Sequence, residues 1–462
     1  MESLGHHCGV AGIYTSRPQN LPELLFYMLF SLQHRGQESC GITWSEGDTW
    51  RAKKDEGMVT PVLGSFVGEH HESRLGIGHV RYSTAGGAGI SNAQPLVVSC
   101  NKGRIALGHN GNISNGGALR SRLTDEGSIF QGTADSELIL HLISRSSASG
   151  REAFLSEALS QLEGAYSIVM MHEDALIAAR DPSGFRPLYI GSRDGATFVA
   201  SETCALHSLG PMTYREVEPG EIVIVDASGQ RSVRVGPART PSRCVFELIY
   251  FARPDSEIFG MSVHAVRSRL GEALAEQDEG DIQADIVVPV PDSGTISAIG
   301  YARRAGLPFD FGLARSHYAG RSFILPTKNQ RELAARLKLH AVRHVVEGKR
   351  VVMIDDSLVR GTTSRIIVGL LREAGATSVH LRLAAPELKW PCYYGIDIPD
   401  RDQLISNRLD PEGIAREVGA DSARFLSRDR LLRAVGATGG YCCACFDGKH
   451  PFPPKTGRKE TA

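Results

Sequence analysis

The chain has 462 residues, enough for two or three domains at roughly 100–200 residues each. Hydrophobic residues make up 42% and charged residues 22%, an ordinary globular balance that excludes disorder as the main state. Lys+Arg 51 against Asp+Glu 52 leaves a formal charge of -1, so no global basic field gathers nucleic acid or an anionic membrane, and any phosphate site must be local. The 9 cysteines are odd in number and sparse, which suits reduced thiols that do chemistry or bind metal better than a disulfide framework.

Met1 to His7 lack both the positive n-region and the apolar h-region of a secretory signal. The greasiest stretch, Leu24 to Leu32, is far short of the roughly 20 apolar residues that cross a bilayer. A cytoplasmic protein with no membrane or nucleic-acid partner is expected. Up to about Gly229, short β-like runs (Gly9 to Tyr14, Arg104 to Gly108, Tyr166 to Met171, Ala175 to Ala179) alternate with helical patterns at Leu21 to Leu32, Asp135 to Ser144 and Glu152 to Leu162. This predicts a layered α+β domain. Arg231 to Arg243 is charged and carries Gly and Pro, as a connection does, so a boundary falls near 235. Beyond it, Asp285 to Val290 and Arg350 to Ile354 are near-continuous apolar runs, the second followed by a helical pattern over Ser364 to Glu373 and a further strand at Ser378 to Leu383. Gly375 stands where a helix terminates. A doubly wound α/β domain reads this way. The tail from 448 to 462 is Pro-rich and basic and is expected to be mobile.

Cys8 opens a run of small residues, Gly9-Val10-Ala11-Gly12, which alone would suit a buried apolar cysteine. Context comes from Gln33-His34-Arg35-Gly36-Gln37-Glu38-Ser39, Gly78-His79-Val80-Arg81-Tyr82-Ser83-Thr84, Asn92-Ala93-Gln94-Pro95, Gly108-His109-Asn110-Gly111-Asn112 and Gly132-Thr133-Ala134-Asp135-Ser136-Glu137. In this order they resemble the glutamine amidotransferases whose nucleophile is a cysteine at the mature N-terminus. The resemblance implies an N-terminal-nucleophile fold, an αββα sandwich, over 8–235, with residues 1–7 a propeptide. An α-amino group, of pKa about 7.7–8.0, can act as base near neutral pH, whereas a peptide nitrogen cannot. By resemblance, Arg81 and Thr84 with Asp135 bind glutamine, Arg81 its α-carboxylate and Asp135 its α-ammonium. Asn110 and Gly111 form the oxyanion hole. Asn-Gly is also the strongest short hairpin signal, and Arg35 reads equally as a surface ion pair.

Val351 to Ser364 is an apolar strand, two acids (Asp355, Asp356) and a turn, Gly361-Thr362-Thr363-Ser364, that opens a helix. Acids at a strand end suit ribose hydroxyls or a hard cation, and N–H groups at a helix start suit phosphate. Thr363 or Ser364 could otherwise be a plain N-cap. The string resembles the phosphoribosylpyrophosphate (PRPP) signature of type I phosphoribosyltransferases. That implies such a domain over 245–447, with PRPP bound by Asp355, Asp356, Gly361, Thr362, Thr363 and Ser364. By the same resemblance Ser293, in Val288 to Thr295, joins the two acids at Mg²⁺. Arg315 to Leu339, a cationic stretch, would be a lid with Lys328 near the leaving pyrophosphate.

Cys442 and Cys445 form a C-x-x-C pair, and Cys244 and Cys392 lie far upstream. Spacing alone leaves zinc, redox chemistry and an iron–sulfur cluster open. Both halves together resemble the glutamine PRPP amidotransferases, glycosyltransferases that move ammonia from glutamine to PRPP and yield 5-phosphoribosylamine, glutamate and pyrophosphate, the first committed step of purine synthesis. Their iron–sulfur subclass implies a 4Fe-4S cluster on Cys244, Cys392, Cys442 and Cys445, with Cys443 the one departure from the usual filler. A homotetramer inhibited by purine nucleotides is implied as well. Another N-terminal-cysteine amidotransferase would lack Asp355-Asp356, and a non-catalytic PRPP sensor would not need Cys8 and its partners.

Overall fold

The computed structural model describes residues 8–82, 89–316, 338–436 and 439–453. Thr84, Lys328 with most of the expected lid, the residues before Cys8 and those after 453 lie outside the described set.

Two antiparallel sheets stack face to face in the first half. One has seven strands in the order Thr213–Glu216, Tyr189–Arg193, Ala196–Ala200, Gly9–Gln19, Ser73–Arg81, Ser39–Glu46, Thr49–Glu56. The other has six: Gly229–Arg234, Glu221–Asp226, Ala175–Arg180, Gly164–His172, Gly103–Ile113, Leu96–Cys100. Alternate residues such as Val10, Ile77, Ala106, Val169 and Val223 fill the space between them, as the two-residue period of a strand requires. The helix Leu21–Ser31, with Pro22 in its first turn where a missing N–H is harmless, lays Leu21, Leu25, Met28 and Leu29 on the outer face of the first sheet. Helices Ser136–Arg145 and Arg151–Ser160 cover Ile105, Leu107 and Ile168 on the outside of the second. The result is the four-layer αββα sandwich.

The second half is built on a parallel four-stranded sheet, Ile286–Pro289, Arg350–Asp355, Ser378–Leu383, Ser422–Phe425. Val287, Val352 and Ile354 face helices Val263–Gln277 and Thr295–Ala305, while Ile286, Val288, Val351 and Met353 face helix Thr362–Glu373. Both faces are covered, which is why these strands read as unbroken apolar runs. One apolar cluster continues from Leu25 through Phe185 and Phe246 to Val352 and Phe446, so the two halves share a core at their seam.

Several expectations are corrected. Asn110 and Gly111 form no hairpin turn. They lie within the strand Gly103–Ile113, opposite Ser167 and Tyr166, because long-range pairing overrides the local turn preference. Helix Thr362–Glu373 is capped by Gly361, with a left-handed φ of 81° and no side-chain cap bond, so neither Thr363 nor Ser364 is its N-cap. Strand Gly229–Arg234 takes the start of the stretch read as a connection. The tail is packed at its beginning: Phe452 N–H donates to Tyr394 Oη at 2.9 Å, and the backbone of Gly448 sits against the Trp390 ring.

Candidate functional sites

Cys8 immediately precedes the strand Gly9–Gln19, whose first residue pairs with Val80. That pairing sets the thiol beside the end of the neighbouring strand, and Cys8 Sγ donates to the Tyr82 carbonyl at 3.7 Å. Burial pushes the thiol above its ordinary range, and the Arg81 charge works the other way while Asp135 reinforces the rise. Arg81 and Asp135 are thus both close enough to act on the nucleophile. Arg81 is buried, with Nη1 3.9 Å from Glu38. Asp135 accepts from Ile113 N–H at 2.9 Å. Burial opposes its ionisation, yet His109 at 3.6 Å and neighbouring N–H groups hold its carboxyl below the usual range.

Across the sandwich, Gly108 packs against Val10, and two residues on comes Asn110, fully buried with neither polar atom of its carboxamide bonded among the described residues. Buried polar groups are nearly always satisfied, so this carboxamide has donor and acceptor capacity to spare. Gly111 must be glycine, because a Cβ there would meet the Ala165 carbonyl oxygen at 2.0 Å. His79 donates through Nε2 to the His109 carbonyl at 3.0 Å. Burial lowers its pKa to about 3, so it is neutral and structural.

Arg35 is no surface ion pair. It is 1% exposed, donates from Nε to the Cys8 carbonyl at 3.1 Å, and binds Glu202 at 2.5 Å and Glu247 at 2.8 and 2.9 Å. Glu247 also takes Arg186 at 3.1 Å, and Arg186 donates to the Tyr394 carbonyl at 2.6 Å. The segment holding Tyr394 touches the strand Gly103–Ile113 as well: Asn112 Nδ2 donates to the Tyr393 carbonyl at 2.8 Å. A buried ionic ladder therefore ties the Cys8 backbone to the second half of the chain. Arg35→Met would leave Glu247 with Arg186 as its remaining guanidinium and Glu202 with His34, two buried carboxylates that have lost their shared partner. The substitution should cost about 3–5 kcal/mol of stability, read as a lower midpoint of urea unfolding.

At the phosphoribosyl site, Asp355 ends the central strand Arg350–Asp355 and Asp356 follows it, both buried. Burial pushes both carboxyls up, and Asp356 raises Asp355 further. Ser293, from the end of the adjacent strand, and Ser357 both hydrogen-bond Asp356. The turn Gly361 to Ser364 begins the next helix, and Arg360, Arg365 and Arg408 line the pocket at its mouth together with Asp402 and Glu417. Arg315 pairs with Asp292 at 2.5 Å. Sequence reasoning missed Arg267, whose charge acts on Asp356 while its guanidinium donates to the Leu248 and Ala252 carbonyls at 3.1 and 2.8 Å. Its signal was position: it stands among Val263, Val266, Leu270 and Leu274 on the buried face of helix Val263–Gln277.

Cys244, Cys392, Cys442 and Cys445 line one cavity with Phe185, Phe246, Tyr394, Ile396, Ala444 and His450. Cys244 and Cys442 are brought together by parallel pairing of Arg243–Cys244 with Tyr441–Cys442. Cys443 is turned instead toward Arg428 and Asp447. Burial pushes the Cys244 thiol up to about 12, with the Arg186 charge opposing, and Tyr394 N–H donates to Cys392 Sγ at 3.3 Å. Among the described residues no three His, Cys, Asp or Glu side chains are gathered as around a single ion. Mg²⁺ ordinarily takes one or two carboxylates and completes its shell with substrate phosphates and water, which the paired acids suit. A 4Fe-4S cluster takes one thiolate per iron, and four thiols in an apolar chamber with a buried guanidinium and an N–H donor suit it chemically.

Comparison with known proteins agrees with this layout. A glutamine amidotransferase domain family matches residues 79–208 and a phosphoribosyl transferase domain family matches residues 263–386. The amidophosphoribosyltransferase of Bacillus subtilis is 46% identical over 457 residues, covering 98% of this chain and 95% of that protein. The enzyme of the same name from Methanocaldococcus jannaschii is 44% identical over 461 residues, covering 96% and 97%. A solved structure of the B. subtilis glutamine PRPP amidotransferase, complexed with ADP and GMP, superposes with a TM-score of 0.90 at 45% identity, covering 98% of this chain and 99% of that one. No described helix is long and apolar enough to cross a membrane. With both signatures on one chain and identity sustained along almost its whole length, the chain belongs to the amidophosphoribosyltransferase family.

Proposed function

We propose that the protein transfers ammonia from glutamine to PRPP, giving 5-phosphoribosylamine, glutamate and pyrophosphate, the entry step of purine synthesis. The observation that carries the coupling of the two sites is the Cys8–Arg35–Glu247 tie, which anchors the nucleophile to the segment leading into the phosphoribosyl domain. Removal of residues 1–7 frees the Cys8 α-amino group as base. The Cys8 thiolate then attacks the glutamine amide carbon, with Arg81 on the α-carboxylate, Asp135 on the α-ammonium and Thr84 a further glutamine-binding residue. The oxyanion falls to the Asn110 carboxamide and the Gly111 N–H. Loss of ammonia leaves a thioester, which water hydrolyses to glutamate. Ammonia then attacks the ribose C1 carbon and pyrophosphate leaves.

Asp355 and Asp356 hold the ribose hydroxyls, and Gly361, Thr362, Thr363 and Ser364 take the 5-phosphate at the helix start. Lys328 closes over the pyrophosphate. Mg²⁺ held by Ser293, Asp355 and Asp356 would neutralise charge on the leaving pyrophosphate. A 4Fe-4S cluster on Cys244, Cys392, Cys442 and Cys445 would serve as a structural clip for the C-terminal segment. The ADP and GMP in the B. subtilis structure support purine nucleotides as inhibitors, and a cytoplasmic homotetramer completes the reading.

Mass spectrometry of active enzyme should find a chain that begins at Cys8. An active enzyme retaining Met1 would contradict the propeptide assignment. Anaerobic purification followed by metal and sulfide analysis should give about four iron and four sulfide per chain, whereas stoichiometric zinc without iron would overturn the cluster.

A further inference from the structure

The motif Asn92-Ala93-Gln94-Pro95 has no part in the chemistry above, yet Asn92 and Gln94 are each only 3% exposed. Strand Leu96–Cys100 pairs with Gly103–Ile113 so that Leu96 faces Leu107. Two residues further back, the same register would set residue 94 opposite His109. There the Gln94 side chain completes the ladder, its Oε1 accepting from His109 N–H at 2.7 Å. With its oxygen committed, its Nε2 donates to Ser136 Oγ at 2.9 Å, and Ser136 Oγ lies 3.1 Å from His109 Nδ1. One uncharged carboxamide thereby joins the residue before Asn110 to the residue after Asp135. Asn92 holds the other side of that loop: Oδ1 accepts from Thr133 and Ala134 N–H, both at 3.1 Å, and Nδ2 donates to Thr133 Oγ1 at 3.0 Å.

We infer that Asn92 and Gln94 are positioning residues that fix Asp135 against the oxyanion strand, and so set the selectivity of the site for the α-ammonium of glutamine. Neither touches substrate. Both act through hydrogen bonds to the loop at 133–136, whose only charged group directed to substrate in the proposed function is Asp135. A carboxamide is required because each position needs a donor and an acceptor at once in a buried site, where an unmatched polar group is costly.

This inference rests on the proposed role of Asp135, and the test separates the two. The readout is the ratio of kcat/KM for glutamine to that for glutaramate, which is glutamine without its α-amino group. Asp135→Asn should collapse the wild-type preference for glutamine. A preference kept in Asp135→Asn would overturn the role of Asp135 and the inference with it. With that role intact, Asn92→Ala and Gln94→Leu should each cut the preference at least about tenfold (about 1.4 kcal/mol). Asn92→Asp, which keeps the oxygen for Thr133 and Ala134 but loses the donor to Thr133 Oγ1, should recover only part of it. Should Asn92→Ala not fold, Asn92→Ser reads the same ratio. Equal loss of activity toward both substrates, or an unchanged preference beside a collapsed Asp135→Asn, would overturn the inference alone.

Discussion

Cys8→Ala should lower glutamine-dependent phosphoribosylamine formation by about 10³-fold or more, while formation from added ammonium salt persists. The reason is chemical and local. Alanine removes the sulfur that must bond to the amide carbon, and no other described thiol is assigned to this site: Cys40 and Cys204 lie in the core, with burial pushing the Cys40 thiol up to about 12. The fold tolerates the change, because among the described residues Cys8 Sγ makes only one long bond, to the Tyr82 carbonyl, and the Arg35 tie runs to the Cys8 backbone carbonyl, which alanine keeps. The phosphoribosyl site has its own acids on its own sheet and needs only ammonia. Assays with glutamine and with ammonium chloride at equal PRPP separate the two; equal loss of both would contradict the two-site scheme.

Asp355→Asn together with Asp356→Asn should abolish synthesis from both nitrogen sources, by about 10²-fold or more. The exchange is close to isosteric and removes charge from two buried carboxyls that repel each other, so the protein should remain folded and could gain stability. What disappears is the hard anionic pair at the strand end, which is suited to draw a divalent cation and the ribose hydroxyls together. Pyrophosphate release measured with glutamine and with ammonium checks this. Wild-type synthesis in the double variant would refute the assignment.

Legibility followed the range of the interactions. The strand at Ser378–Leu383 and the helix starting at Leu21 stand where apolar periodicity places them, because a regular element declares its buried face every two or 3.6 residues. Asn110-Gly111 misled because its turn signal is local, whereas its strand is decided by pairing with residues more than fifty positions away. Arg35 looked exposed for the same reason. A guanidinium is buried only with its counter-charges, and Glu202 and Glu247 lie 167 and 212 residues downstream, invisible to any window. Asn92 and Gln94 stood in a quoted motif without a role, since their partners at 109 and 133–136 meet only in the folded sandwich. Cys442 and Cys443 are equivalent in composition and are distinguished by strand pairing, which turns Cys442 toward Cys244.

One chain passes the amide nitrogen of glutamine to the ribose of PRPP. Glutamine labelled with nitrogen-15 at its amide, incubated with PRPP and the processed enzyme, tests it most directly. One pyrophosphate should appear for each glutamate formed, with the label in 5-phosphoribosylamine; glutamate released without pyrophosphate, or product carrying no label, would refute the transfer.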